Sequence, residues 1–456
     1  MPQSPFAFEV ISDPRQNTLS NLVFEIEETS NLEFFKKVSL PEDIAREIET
    51  KSQEVEKSSF CISTYFPLFG AKKIHILYIH DKTAYTKELA DLLKKIDGDI
   101  AFYTSRKDQI FPIMDTLLLT GYQFDQYLSK KKPRKFAVIH EAMPDRLRAE
   151  IMDRMSLLSS IYLVRDMVNT PASLKYPRRL AEQMMKLPFR HTKVTLMDKK
   201  ELETKGFNLL LAVGAGSDKD SCVLVFERMI DKNLPTYALA GKGLTFDAGG
   251  LQIKPDTGML DMKSDMAGAA IVAGTLLYLD AHDTLRCNII AAVGFAENML
   301  GGGAMKPLDI IKGHNGKTVE IGHTDAEGRL VLADLLSYLE TTYSPETIIS
   351  VATLTGAVIH AIGYDYAGII GNNQEIIDEL LQNPAGEERL WQLPLDAHMI
   401  ESAKGKIADV QNVTEGYKAG ASMGAAFLTH FVRESKLVHI DIAGTAYRTE
   451  AYSYFP

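Results

Sequence analysis

Apolar positions in the second half of the chain come in short runs, at 194–197, 222–226, 237–240, 288–293, 348–352 and 438–442, with stretches of helical spacing between them. Strand-length runs alternating with helices predict a mostly parallel central sheet flanked by helices. Residues 1–140 mix short apolar alternations, such as Ile74, Ile76 and Tyr78, with charged helical stretches such as 85–96, and predict an α/β domain of their own. Between the two, Pro144 suits the first turn of a helix. Ile151, Met155, Leu158, Ile161 and Val168 follow at helical steps until Asn169-Thr170-Pro171 stops it. The predicted layout is an N-terminal α/β domain over 1–140, a linker helix over 141–170 and a larger α/β domain over 171–456.

Composition agrees with two cores. Single cores stop growing near roughly 250 to 300 residues, this chain has 456, and its 45% hydrophobic content can fill both. Fifty basic against sixty acidic side chains leave a net charge of -10, which repels nucleic acid and anionic membranes unless a basic patch is segregated. The one local candidate, Lys130-Lys-Lys-Pro-Arg-Lys135, reads as a solvated linker. Cys61, Cys222 and Cys287 lie far apart and form no CxxC pair, so neither a zinc knuckle nor a disulfide framework is indicated. The N-terminus lacks the basic start and apolar stretch of a secretory signal, and the uncharged run 347–364 is interrupted by Ser350, Thr353, Thr355, Gly356 and His360. A soluble cytoplasmic protein acting on peptides or small molecules is expected, with no membrane or nucleic-acid partner.

The candidate chemistry lies between Gly241 and Arg329. Asp247 sits in a Gly-rich turn expected just past the strand ending near Ala240, where backbone can approach an ion closely. Asp265 precedes an Ala- and Gly-rich helix expected over 266–279. Asp325 and Glu327 precede a helix whose Leu332, Leu335, Leu336 and Leu339 form an apolar stripe. These positions at element ends are where open α/β sheets bind ligands. Carboxylates prefer hard cations, and four of them carry enough charge for two divalent ions sharing an ionised water as nucleophile. Lys242 makes the unusual demand, because an ammonium ligates only after losing its proton. Taken one at a time, each carboxylate is as well explained as a loop or helix-cap group. Lys254 alone reads as a surface lysine, and Arg329 alone as a surface partner of Asp325. It is the combination that points to a metal centre.

The segments Gly241-Lys-Gly-Leu-Thr-Phe-Asp-Ala-Gly-Gly250, Lys263-Ser-Asp-Met-Ala-Gly-Ala270, Asn315-Gly-Lys-Thr-Val-Glu320, Thr324-Asp-Ala-Glu-Gly-Arg-Leu330, Ala352-Thr-Leu-Thr-Gly-Ala357 and Asp441-Ile-Ala-Gly-Thr-Ala446 resemble the leucyl aminopeptidase (cytosol aminopeptidase) family. The resemblance covers about 165–456, and Tyr122-Gln-Phe-Asp125 and Asp166-Met-Val-Asn-Thr-Pro171 are similar to that family's linker region. It implies an N-terminal α/β domain joined to a catalytic one, assembled as a homohexamer. It further implies one divalent ion held by Lys242, Asp247, Asp265 and Glu327, and a second by Asp247, Asp325 and Glu327; manganese, zinc, magnesium or cobalt would fit. By the same resemblance Lys254 polarises the scissile carbonyl and Arg329 anchors a bicarbonate-like anion that relays a proton. Met262, Thr353 and Gly356 match positions lining the pocket for the first side chain of a peptide substrate, with the Leu354 carbonyl nearby. Release of N-terminal residues follows, apolar ones such as leucine being preferred, though an apolar pocket discriminates by only about 1 to 3 kcal/mol per methylene.

Two positions depart from the family pattern. His323 stands where the signature usually begins with Asn, close enough to the ligands to act on the centre or simply to pack the loop, and Met305-Lys-Pro-Leu-Asp309 replaces an Arg-Pro-Gly-Asp pattern. Other motifs fail on context. Gly420-Ala-Ser-Met-Gly424 fits a nucleophile elbow but follows a polar stretch rather than a strand. Gly313-His-Asn-Gly-Lys-Thr318 has Ile311 where a phosphate loop begins with Gly, and His140-Glu-Ala-Met-Pro144 has Pro where a zinc helix needs its second His. Two alternatives of different chemistry are a two-metal phosphoesterase using the same carboxylates and an added DNA-binding role, since some members of that family also bind DNA.

Overall fold

In the computed structural model the described residues are 7–12, 17–26, 46, 50, 60–64, 71, 73–78, 85–104, 106–131, 134–140, 144–383 and 388–447. They form two compact units that divide between Tyr162 and Leu163, inside a helix rather than at its end.

The first unit holds strands β1 (Ala7–Ile11), β2 (Asn21–Ile26), β3 (Phe60–Thr64), β4 (Lys73–Tyr78), β5 (Ile100–Tyr103) and β6 (Lys135–Ile139). They lie in the order β1-β6-β5-β2-β4-β3, all pairings parallel except β3 on β4. Helices α1 (Tyr85–Leu93) and α2 (Ile110–Gly121) bury Leu89, Leu93, Ile113, Met114 and Leu117 against Val23, Ile100, Phe102 and Val138. The linker helix expected over 141–170 is α3 (Asp145–Asn169), and its Leu147, Ile151 and Leu158 complete this core. In the basic run, Lys131 pairs with Asp125, and the Arg134 guanidinium donates to the carbonyls of Ile96 and Gly98; Lys132 and Pro133 lie outside the described residues.

The second unit contains β7 (Lys193–Met197), β8 (Cys222–Arg228), β9 (Thr236–Asp247), β10 (Asn288–Asn298), β11 (Ile310–Lys312), β12 (Thr318–Glu320), β13 (Thr347–Ala352), β14 (Ala367–Gly371), β15 (Leu390–Gln392), β16 (Val410–Gln411) and β17 (Lys436–Asp441). Eight of them form a sheet ordered β15-β14-β17-β13-β9-β10-β8-β7, and β11-β12-β16 form a small second one. The predicted parallel sheet is its centre, where β17, β13, β9 and β10 share one direction, while antiparallel pairs occur toward both edges. The Gly313–Thr318 motif is the connection of the β11–β12 antiparallel pair, and Ser422 lies buried inside the helix Gly420–Thr429. Neither has the geometry of the motif it imitates.

Alternation along β10 explains the layering. Ile290, Ala292 and Ala296 pack with helix α5 (Gly328–Tyr343), whereas Ile289, Ala291 and Val293 pack with helix α4 (Ala267–Asp280) on the other face. Parallel strands buried on both sides need apolar residues at successive positions, as this sequence has. Helix α5 is more enclosed than an apolar stripe requires, since every residue from Gly328 to Leu339 is buried. Strand β9 also runs on to Asp247 instead of turning after Ala240. Its glycines read as a turn, yet they serve close packing: a Cβ on Gly241 would meet Ala269 Cα at 2.8 Å, and one on Gly243 would meet Gly294 O at 2.6 Å. Among the described residues, no helix is long and apolar enough to cross a membrane. Cys222 and Cys287 are free thiols.

Candidate active site

The carboxyl end of β9 is the centre of the site. Lys242 points from the strand and Asp247 ends it. Gly249 and Gly250 then take φ of +90° and +67°, so that the chain folds back to Lys254, whose N–H donates to Ala248 O at 3.0 Å. Asp265 caps the short turn Met262–Ser264 that leads into α4, and Glu327 immediately precedes α5. A Cβ on Gly268 would lie 2.1 Å from Val351 O and 3.1 Å from Lys242 N, so a glycine is what lets α4 approach β9 this closely.

These placements bring the charged groups together. Lys242 Nζ lies 2.8 Å from Asp265 Oδ1, 3.0 Å from Glu327 Oε1 and 2.9 Å from the Thr353 carbonyl. Lys254 Nζ lies 2.8 Å from Asp247 Oδ2 and 2.5 Å from Asp325 Oδ1. Ligand oxygens of Asp247, Asp265 and Glu327 all fall within 4.8 Å of one another, and Asp325 joins them through Lys254. Gly328 makes room for Lys242, because a Cβ there would be 2.6 Å from Nζ.

The electrostatics are unbalanced toward negative. Four carboxylates face two ammonium groups in a buried site. Burial first, then the neighbouring carboxylates, push Asp265 up to about 8 and Asp247 up to about 6 despite the lysines. Burial opposes the Lys242 charge most, yet Asp265, Glu327 and Asp247 reverse the effect and hold its pKa above the ordinary lysine value. Asp265 Oδ2 and Glu327 Oε2 are buried without a hydrogen-bond partner. Unsatisfied buried carboxylate oxygens are costly unless a cation or donor meets them. Hard-donor oxygens in excess, two of them unpartnered, fit divalent cations, with Lys242 able to become a neutral ligand once cations displace its proton.

Arg329 is buried and not paired with Asp325. Its Nη1 donates to Asn412 O at 2.6 Å, its Nε has no partner, and burial lowers its pKa to about 10. Thr353 donates its hydroxyl to Asp265 Oδ1 at 2.7 Å, so besides being an expected pocket residue it orients a ligand. Leu354 N donates to Asp441 Oδ1 at 3.0 Å. Gly356 is exposed at the start of the helix Gly356–Ile362 with open space where a Cβ would be, and Met262 is half-buried in the turn before Asp265.

Several orienting residues were not foreseen. Asn298 Nδ2 donates to Asp247 Oδ1 at 2.8 Å and to the Thr324 carbonyl at 3.1 Å. Gln252 and Thr324 exchange two bonds, Gln252 N to Thr324 Oγ1 at 3.0 Å and Thr324 N to Gln252 Oε1 at 2.7 Å, and so lock the Lys254 loop to the Asp325 loop. No local pattern marks such amides; only the position of Asn298 at the end of β10 hints at one of them. His323 has a definite role in the loop: its Nδ1 accepts the Asp325 N–H at 3.1 Å. An asparagine oxygen makes the same bond two residues on in an Asx turn, so the imidazole does here what an asparagine side chain can do.

Comparison with known proteins identifies the family. Residues 162–455 match the cytosol aminopeptidase family, catalytic domain. A probable cytosol aminopeptidase of Stutzerimonas stutzeri (strain A1501) is 41% identical over 337 residues, covering 72% of this chain and 67% of that protein. One from Phytoplasma australiense is 39% identical over the same length, covering 72% and 68%. In fold, the chain resembles the bottromycin maturation enzyme BotP in complex with Mn, with TM-score 0.80 and 24% identity over 95% of each chain. It also resembles the leucyl aminopeptidase from Leishmania major in complex with actinonin, with TM-score 0.82 and 20% identity over 99% of this chain and 93% of that one. The chain therefore belongs to the cytosol aminopeptidase family and is a hydrolase with aminopeptidase activity.

Proposed function

We propose that this aminopeptidase is metal-dependent, holds two divalent ions, and removes N-terminal residues from peptides with a preference for leucine and other apolar side chains. The observation that carries the reading is the pair of buried, unpartnered oxygens, Asp265 Oδ2 and Glu327 Oε2, beside the converging Asp247 and Lys242. Lys242, Asp247, Asp265 and Glu327 would hold one ion, and Asp247, Asp325 and Glu327 the other. Bound there, divalent ions supply a water ionised near neutral pH and a Lewis acid for the substrate carbonyl.

The chain's own groups do the rest. Lys254 carries a charge tethered at the backbone by its bond to Ala248 O, and its ammonium is in place to meet negative charge developing on a carbonyl oxygen. Arg329 offers a guanidinium with an unused Nε to a small anion such as bicarbonate, which would take the proton from water and pass it to the leaving amine. Asn298 and Thr353 keep the carboxylates aimed, and Met262, Thr353, Leu354 and Gly356 would receive the first side chain. A cytoplasmic location and a homohexameric assembly complete the reading, both from family resemblance.

The deciding experiment strips the protein of metal, refills it with manganese, zinc, magnesium or cobalt in turn, and challenges it with a panel of aminoacyl amides. Activity should vanish on stripping and return with refilling, highest for leucine-like amides. Undiminished turnover after stripping would overturn metal dependence.

A further inference from the structure

Residues 321–327 connect β12 to α5 and carry Asp325 and Glu327, yet they belong to neither helix nor strand. Backbone groups in such a stretch need partners from outside it. One side chain meets four of them. Asn412 Oδ1 accepts from Gly322 N at 2.7 Å and His323 N at 3.2 Å, and its Nδ2 donates to His323 O at 2.7 Å and Ala326 O at 3.2 Å.

The main chain of the same residue extends the connection. Asn412 N donates to Glu320 O at 3.1 Å, continuing the parallel β12–β16 ladder one position beyond Gln411. Its carbonyl accepts Arg329 Nη1 at 2.6 Å. The residue is fully buried, and every hydrogen-bonding group it has is directed at 320–329. Only a carboxamide carries two donors and an acceptor oxygen in one plane, so neither an aspartate nor an alanine reproduces this set.

We propose that Asn412 is a positioning residue of the centre: it fixes the Asp325 and Glu327 carboxylates relative to the Arg329 guanidinium while touching neither metal nor substrate. The inference rests on the metal-dependent reading above. Ligand orientation by an outer partner is worth 10- to 100-fold in metal affinity or activity, and misplacement by about 1 Å costs about 100-fold in turnover.

Asn288 supplies a matched control. It is also fully buried, with Oδ1 accepting from Ile230 and Asp231 and Nδ2 donating to Asp231 and Leu234, at the opposite end of β10 from Asn298. Asn412→Ala, the shape-conserving Asn412→Asp and Asn288→Ala are compared by metal titration calorimetry, by kcat and KM on an aminoacyl amide, and by hydrogen exchange over 320–329 in metal-depleted protein. Both Asn412 variants should lose about 10- to 100-fold in metal affinity and about 100-fold in kcat with little change in KM, and should exchange faster over 322–327. Asn288→Ala should lose thermal stability without any of these. Parent-like metal affinity and exchange in Asn412→Asp would overturn the proposal, as would equal losses in Asn288→Ala. A parent protein that binds no metal would sink the metal-dependent reading instead, and the exchange comparison would still decide whether Asn412 orders the segment.

Discussion

Lys254 Nζ lies 2.8 Å from Asp247 Oδ2, and the same ammonium also reaches Asp325, so one side chain bridges a carboxylate at the end of β9 and one in the loop before α5. A cation bound by those carboxylates and the ammonium compete for the same oxygens. Lys254→Ala should therefore bind divalent ions as tightly as the parent or up to about tenfold tighter, while turnover falls by about 10²–10³-fold with the loss of an oxyanion-stabilising charge. Calorimetric titration alongside kcat checks this. Weakened metal binding would mean that Lys254 supports the ligands rather than the substrate.

Gly328 faces Lys242, and a methyl group there would sit 2.6 Å from both Cε and Nζ. Since Lys242 is enclosed, Gly328→Ala should displace the amine, destabilise the fold by about 1–3 kcal/mol through overpacking, and lower the bound metal per chain. Denaturant melts and metal analysis test it, and a parent-like result in both would show that Lys242 has room to retreat.

His323 acts through one acceptor atom. His323→Asn preserves that acceptor and should leave metal affinity within about threefold of the parent. His323→Ala removes it and should lose about fivefold, in line with a lost hydrogen bond of about 1 kcal/mol. The idea fails if Asn performs no better than Ala.

Lys175 is fully buried, its Nζ donating to the carbonyls of Met167 and Val168 at the end of α3 and to Met266 Sδ. Burial first, then the charge of Lys263, lowers its pKa to about 7. Below that value both folded and unfolded chains hold the proton. Between about 7 and the unfolded lysine value of about 10.4 the unfolded chain holds more, so this group makes stability rise with pH by up to about 1.4 kcal/mol per unit. Lys175→Met should flatten that slope when melts are compared across the window. Parallel curves for parent and variant would refute it.

Leu308 has φ of +69° and is 66% exposed, in a turn where Pro307 precedes it and Asp309 N donates to Lys306 O at 3.1 Å. A left-handed conformation costs an L-residue about 1–2 kcal/mol, against about 0.5–1 kcal/mol of backbone entropy lost by glycine. Leu308→Gly, which puts at this position the residue that adopts positive φ without strain, should stabilise by about 0.5–1 kcal/mol in denaturant titration. Destabilisation would reveal a contact made by the leucine.

Much of this molecule follows from its sequence alone. The apolar runs located all six expected strands of the second unit, because the inner strands, buried on both faces, need uninterrupted apolar residues and the half-exposed edge strand β7 still keeps apolar residues on its covered side. Helical spacing located α3, and the acid-rich segment before Leu330 located the start of α5 together with Asp325 and Glu327. Tertiary structure alone decided which groups meet. Lys242 finds the Thr353 carbonyl 111 residues away, and Arg329 finds Asn412 across 83. Periodicity records only the environment that near neighbours in the chain share, and glycines that allow close packing look the same as glycines that turn. Where an amide such as Asn412 directs its bonds is set by the packing of distant elements, and no local pattern of residues encodes it.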